Sequence, residues 1–140
     1  MNMLFIEPDV RFYDWLTANI RNHACDRAAD ADEAESKLMT GKFSACFLDI
    51  SQQSEKPCLM IARVRSCTNG IPLILLTGKE LRADLVKICD KIIERDTLTP
   101  ANIEAVTRQA QDAHKSLHTL DATAQIISAV SSLRRTAQGL

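Results

Sequence analysis

The sequence predicts an α/β fold: a five-stranded parallel, doubly wound sheet with a long C-terminal helix. Two observations carry that prediction. Short apolar runs of strand length alternate with stretches of helical periodicity, which is the pattern of a parallel sheet with crossover helices. Beyond Pro100 neither glycine nor proline appears until Gly139, and apolar residues recur there at spacings of three and four. At 140 residues the chain is long enough for one domain with a substantial core.

The elements follow in order. Met3-Leu4-Phe5-Ile6 is an apolar run that ends in Glu7-Pro8-Asp9. A first helix follows Asp9, which suits its N-cap, with Phe12, Leu16 and Ile20 four apart on one face. The second strand, around Ala24 to Arg27, is weak. The next helix turns Ala31, Ala34 and Leu38 inward, and Gly41 suits its C-terminal stop. Phe43 to Ile50 is an apolar stretch interrupted by one acid, Asp49, and reads as a buried strand. A polar loop covers Ser51 to Lys56. A helix runs from about Pro57, a good first-turn proline, with Cys58, Ile61 and Val64 on one face. Ile71 to Leu76 is the fourth strand and ends in Thr77-Gly78-Lys79. A short helix presents Leu81, Leu85 and Ile88, and Lys91-Ile92-Ile93-Glu94 is the fifth strand.

The last helix is expected to begin near Thr99 as N-cap, with Pro100 at its first position. Ile103, Val106, Ala110, Ala113, Leu117, Leu120, Ala124 and Ile127 then form a heptad stripe. The first few turns suffice to cover a sheet. The surplus, from Ala113 to Arg135, carries an apolar seam that needs something to cover it. A parallel helical homodimer is expected, with folding back onto the same domain as the alternative. Residues 1–112 are therefore read as the globular domain and 113–140 as a dimerising coiled-coil extension.

Composition removes several function classes. A net charge of −1 gives no sign of the basic face that nucleic-acid binding needs. No apolar run approaches a membrane span, and the N-terminus lacks a signal peptide's pattern, so no membrane contact is expected and the cytoplasm is the expected compartment. Five cysteines, an odd number without a CxxC, read as small core hydrophobes in a reducing compartment. His114 and His118 are four apart on a helix, which makes zinc conceivable. No third ligand of suitable spacing accompanies them, and a solvated helix face is the commoner explanation.

Three predicted strands finish at one end of the sheet, in Glu7 and Asp9, in Asp49, and in Thr77. Ligands of open parallel sheets bind at the carboxyl ends of the strands. Acids and a hydroxyl gathered there suit a divalent cation and a phosphoryl group, and Asp49 is a candidate nucleophile or metal ligand.

Over residues 3 to about 108 the chain resembles the receiver domain of bacterial two-component response regulators. The resemblance rests on the stretch from Ala28 to Leu38, on Gly41-Lys42-Phe43, on Phe47-Leu48-Asp49-Ile50, and on Asp96-Thr97-Leu98-Thr99-Pro100. It implies a flavodoxin-like sheet of order 2-1-3-4-5. It also implies that Asp49 accepts a phosphoryl group from a sensor histidine kinase or phosphotransfer protein. By the same resemblance Glu7, Asp9, Asp49 and the backbone carbonyl of Ser51 hold magnesium, and the Thr77 hydroxyl meets the phosphoryl oxygens. A carboxylate attacking a phosphorylated donor meets negative charge, so a cation must offset it.

Four departures accompany the resemblance. Pro8 stands where a second adjacent acid is expected. Arg95 takes the position of the family's lysine, by the count back from Thr99-Pro100, and is a wide fork instead of a point charge. The loop after Asp49 lacks the usual Met-Pro and glycine, and Ile92 replaces an aromatic on the fifth strand. They define the alternative, a pseudo-receiver adaptor that works without phosphorylation.

The stretch from His118 to Val130 resembles, more weakly, the first dimerisation helix of one histidine-kinase class. His118, Gln125, Ile127 and Ser128 match, while Asp121 and Ala122 replace a lysine and an asparagine. This implies phosphotransfer through His118 or a piece of a histidine kinase, although no ATP-binding domain follows. The expected function is an atypical, non-enzymatic receiver that relays a two-component signal through protein contacts and helix-mediated dimerisation.

Overall fold

Met3 to Ile6 are all buried, as are all five residues of Ala45–Asp49 and of Leu73–Thr77. Strands covered on both faces need continuous apolar runs, and this chain supplies them. The computed structural model describes residues 1–51, 56–68, 70–79, 85 and 88–116. Its elements are β1 (Asn2–Ile6), α1 (Val10–Thr17), β2 (Ala24–Ala28), α2 (Ala31–Leu38), β3 (Ala45–Asp49), α3 (Pro57–Cys67), β4 (Leu73–Thr77) and β5 (Lys91–Glu94). A 3-10 turn over Arg95–Thr97 and a helix over 103–116, here α4, complete them. All strand pairs are parallel, in the order β2-β1-β3-β4-β5 that was expected.

Strand alternation divides the core into two layers. Leu4, Ile6, Cys46, Leu48, Leu73 and Leu75 pack with α2 and α3. Met3, Phe5, Ala45, Phe47, Ile74 and Leu76 pack with α1 and α4. In that second layer Phe5 and Phe47 stack with ring centroids 4.6 Å apart. β2, at the sheet edge, alternates exposed and partly covered residues, which explains its faint signal.

Local chemistry sets the helix ends. Asp9 caps α1 by accepting from the amides of Arg11 and Phe12 at 3.0 and 3.2 Å. Asp30 caps α2 through the Glu33 amide at 2.9 Å. Gly41, at φ 71, closes α2 in the left-handed conformation that favours glycine. Thr99 Oγ1 accepts from the Asn102 amide at 3.3 Å, and Asn102 Oδ1 accepts from the Thr99 amide at 2.8 Å. Thr99 thus caps as expected, but a turn fills 100–102 and regular helix begins at 103, later than the sequence suggests.

Three further boundaries differ from expectation. Thr77 is the last residue of β4, not the first beyond it. Cys58 is exposed, and Met60 joins Ile61 and Val64 in the buried face of α3. The helical period explains the exchange: at 3.6 residues per turn Met60 lies about 40° from Val64 around the helix axis, whereas Cys58 lies about 120° away. Of the short helix expected after β4, Leu85 is buried and Ile88 is partly exposed, while Leu81 lies outside the described residues.

Ile103, Val106 and Ala110 of the heptad stripe are core residues beneath the sheet, and Ala113 is half-buried. Leu117, His118, Leu120, Ala124 and Ile127 lie outside the described residues, and with them most of the expected dimer seam. α4 is fastened at His114. His114 Nδ1 lies 2.9 Å from Oδ1 of Asp90, whose side chain is fully buried. Asp90 Oδ2 accepts from the Leu73 amide at 2.7 Å and from Arg65 Nη1 at 3.0 Å.

All five cysteines are free thiols. Cys46 and Cys89 are core residues, and burial pushes their thiols up to about 12 and about 11. No helix among the described residues is long and apolar enough to cross a membrane.

Candidate functional site

Parallel strands finish together, so their next residues meet. Ile6 pairs with Leu48, which puts Glu7 beside Asp49. Asp49 pairs with Leu76, and Thr77 with Glu94, which brings Arg95 to the same end of the sheet. Glu7, Asp49 and Thr77 are 2%, 1% and 3% exposed.

Arg95 organises the cluster. Its Nε donates to Asp49 Oδ2 at 2.9 Å, and its Nη2 donates to Asp9 Oδ2 at 3.2 Å and to Glu7 Oε1 at 3.4 Å. The guanidinium lies over the Phe12 ring, 3.9 Å from its centroid. Three carboxyl groups this close favour a proton on one of them, and one guanidinium offsets the charge that remains. Its planar fork reaches several acceptors at once, which an ammonium does less well.

Asp49 is held from the other side by Ser51, whose amide and hydroxyl donate to Oδ1 at 2.8 and 2.5 Å. Burial, with the Asp49 carboxylate alongside, pushes the Glu7 carboxyl up to about 8, against the pull of Arg95. Asp9 is held below the ordinary carboxylate range, first by the Phe12 amide of the cap.

No family model matches the chain. The transcriptional regulatory protein BasR of Escherichia coli K12 is 28% identical over 88 residues, which cover 61% of this chain and 40% of BasR. The chain thus spans about two fifths of the length of that regulator. A CheY-like response regulator receiver domain protein from Methanospirillum hungatei JF-1 superposes with a TM-score of 0.67 at 16% identity, covering 82% of this chain and 97% of that one. A two-component response regulator from Clostridium difficile gives 0.63 at 17%, over 84% and 98%. NtrX from Brucella abortus gives 0.69 at 17%, over 86% of this chain and 29% of its own. The chain has the response-regulator receiver fold. The resemblance to receiver domains seen over residues 3 to about 108 is borne out as a likeness of fold.

The receiver's expected site residues come together unequally. Glu7, Asp9, Asp49, Ser51 and Arg95 form one hydrogen-bonded cluster. Thr77 reaches the same end of the sheet, yet its buried hydroxyl makes no hydrogen bond among the described residues.

Magnesium wants hard oxygen donors in near-octahedral array, and the chemistry of this acid set suits it. The arrangement does not. Each carboxylate oxygen of Glu7, Asp9 and Asp49 accepts from a protein donor, except Glu7 Oε2. No group of three or more His, Cys, Asp or Glu among the described residues is set to hold a metal ion. The receiver's acids close on a guanidinium, so the magnesium site that the resemblance implies does not fit here.

Sequence reasoning missed two contributors. Phe12 looked like a core position of α1, and its role as a platform for Arg95 had no signal beyond standing three residues after Asp9. Asp90 carried none at all, because the amide, guanidinium and imidazole it joins come from three separate elements.

Proposed function

We propose that this receiver relays a two-component signal through protein contacts, with Asp49 accepting a phosphoryl group from the phosphohistidine of a sensor histidine kinase or phosphotransfer protein. The observation that supports this reading best is the Asp49 carboxylate, buried at the end of β3 and held between Ser51 and Arg95. In the transfer, an Asp49 oxygen attacks phosphorus as the P–N bond to the donor imidazole breaks. The nitrogen keeps the electron pair, and an acyl phosphate forms. Arg95 is the cation bonded to Asp49, and turning its Nε from Oδ2 to the incoming phosphoryl oxygens would offset their charge. The Thr77 hydroxyl, without a protein acceptor, is available to those oxygens.

Beryllofluoride, a phosphoryl mimic, tests the reading by calorimetric titration of the full chain and of Asp49→Asn. Binding that Asp49→Asn abolishes supports it. Absence of binding by the folded chain selects the second reading, an adaptor independent of phosphorylation, which the bonding of Arg95 to all three acids favours.

Output through a homodimer formed by residues 113–140 belongs to the same proposal. Sedimentation of the full chain against Leu120→Lys checks it, since a charge in the seam should yield monomer. Phosphotransfer through His118 would instead give an acid-labile, base-stable phosphoryl group that His118→Ala removes.

A further inference from the structure

We infer that Arg95 does in this pocket the electrostatic work of a bound divalent cation, so that the chain neutralises its own acids and recruits no metal to them. The inference rests on the receiver reading of the pocket but not on phosphorylation of Asp49.

The bonding pattern comes first. One guanidinium bonds carboxylates from two loops, Glu7 and Asp9 after β1 and Asp49 at the end of β3. A cation chelated by the same acids would sit among those same oxygens. Burial makes the substitution matter. The Asp49 and Glu7 side chains are 0% and 3% exposed, and that of Arg95 is 17% exposed. Water does little to screen such charges, and a buried carboxylate without a positive neighbour is costly.

Two further features favour the guanidinium over a metal ion. The Phe12 ring lies against one face of it, a favourable stacking for a planar cation. Pro8, between the two acids of the β1 loop, offers no side-chain ligand, so the loop gives acids only at Glu7 and Asp9. Asp9 in turn spends its Oδ1 on the cap of α1.

A divalent ion entering this set would find Glu7 Oε2 as its one unbonded carboxylate oxygen. To gain more it would have to displace Arg95 from Asp49 and Asp9, and it would then lie close to that like charge. Without Arg95 the preference reverses. Three carboxyl groups would face one another with no cation, and that set of oxygens attracts a hard divalent ion.

Manganese is the probe, in full-length chain, because its paramagnetism reports binding directly through water-proton relaxation. The wild-type chain should show no saturable manganese site that Asp49→Asn abolishes. Arg95→Gln should gain one, tighter by about tenfold or more than any residual binding by the wild type, the least expected on removing a unit charge within ~4–6 Å of a divalent ion. Asp49→Asn added to Arg95→Gln should abolish the gain.

Arg95→Lys keeps the charge but not the three-way fork. It should gain a weaker site, and it decides the matter if circular dichroism shows Arg95→Gln unfolded. An Asp49-dependent manganese site in the wild type overturns the inference, as does a folded Arg95 variant that gains none. Failure here leaves the beryllofluoride result standing, and failure of beryllofluoride to bind leaves this one standing.

Discussion

The Phe12 ring lies 3.9 Å from the guanidinium carbon of Arg95, so the helix that Asp9 caps also carries the floor under the arginine bonded to Asp9. Phe12→Leu keeps an apolar side chain but removes the ring face. It should cost about 1 kcal/mol in urea denaturation. Arg95→Gln should cost about 2–3 kcal/mol, since it leaves buried carboxylates without their cation. In the Arg95→Gln background Phe12→Leu should cost measurably less than alone. Equal costs in both backgrounds would show that the two side chains do not interact.

Glu7 makes stability depend on pH with a definite sign. Its carboxyl rises from an ordinary 4.5 to about 8 in the folded chain, chiefly through burial and then through Asp49. Between those values the folded chain keeps a proton that the unfolded chain has released. The contribution is therefore complete below about pH 4.5 and lost as pH climbs through about 8, with a slope of up to ~1.4 kcal/mol per pH unit. Asp9, whose carboxyl lies below its ordinary 3.8, acts at more acid pH and with the opposite sign. Denaturation midpoints of wild type and Glu7→Gln from pH 5 to 8 check this, the variant giving the flatter profile. Parallel profiles would refute it.

Thr77 buries a hydroxyl that has no hydrogen-bond acceptor or donor. Thr77→Val replaces it with a methyl of similar shape. Stability should stay level or rise by about 1 kcal/mol, because an unmet polar group leaves the interior. If the hydroxyl serves an incoming phosphoryl group, the same variant should bind beryllofluoride more weakly. A stability loss above about 1 kcal/mol would mean that the hydroxyl is bonded after all.

Asp90 joins β4, α3 and α4 through Leu73, Arg65 and His114. Asp90→Ala should cost about 2 kcal/mol, chiefly because it leaves the buried Leu73 amide without its acceptor, while the more exposed Arg65 turns to water. His114→Ala should cost less, because Asp90 keeps its other two donors. Thermal denaturation ranks them, and the reverse ranking would refute this account.

The architecture was legible because apolar runs such as Leu73 to Leu76 and Ala45 to Leu48 are buried on both faces and so carry no polar interruption. Helix ends were legible where one side chain makes the cap, as at Asp9 and Thr99. Cys58 was misplaced because a spacing of three drifts around a helix with 3.6 residues per turn. The position of Arg95 could be counted from Thr99-Pro100, but its reach could not. A side chain bonding residues 46, 86 and 88 positions away exists only once the strands have aligned. Asp90 escaped for the same reason: its three donors converge only in the folded sheet.

α4 starts from a local cap, the Thr99–Asn102 pair, and is pinned to the rest of the domain by His114 on Asp90. A rod packed along the sheet and pinned by a side chain moves as one stiff strut when its base is pushed. Displacement at the acid end of the sheet would therefore reach residues 114–116 as a change of angle about Asp90.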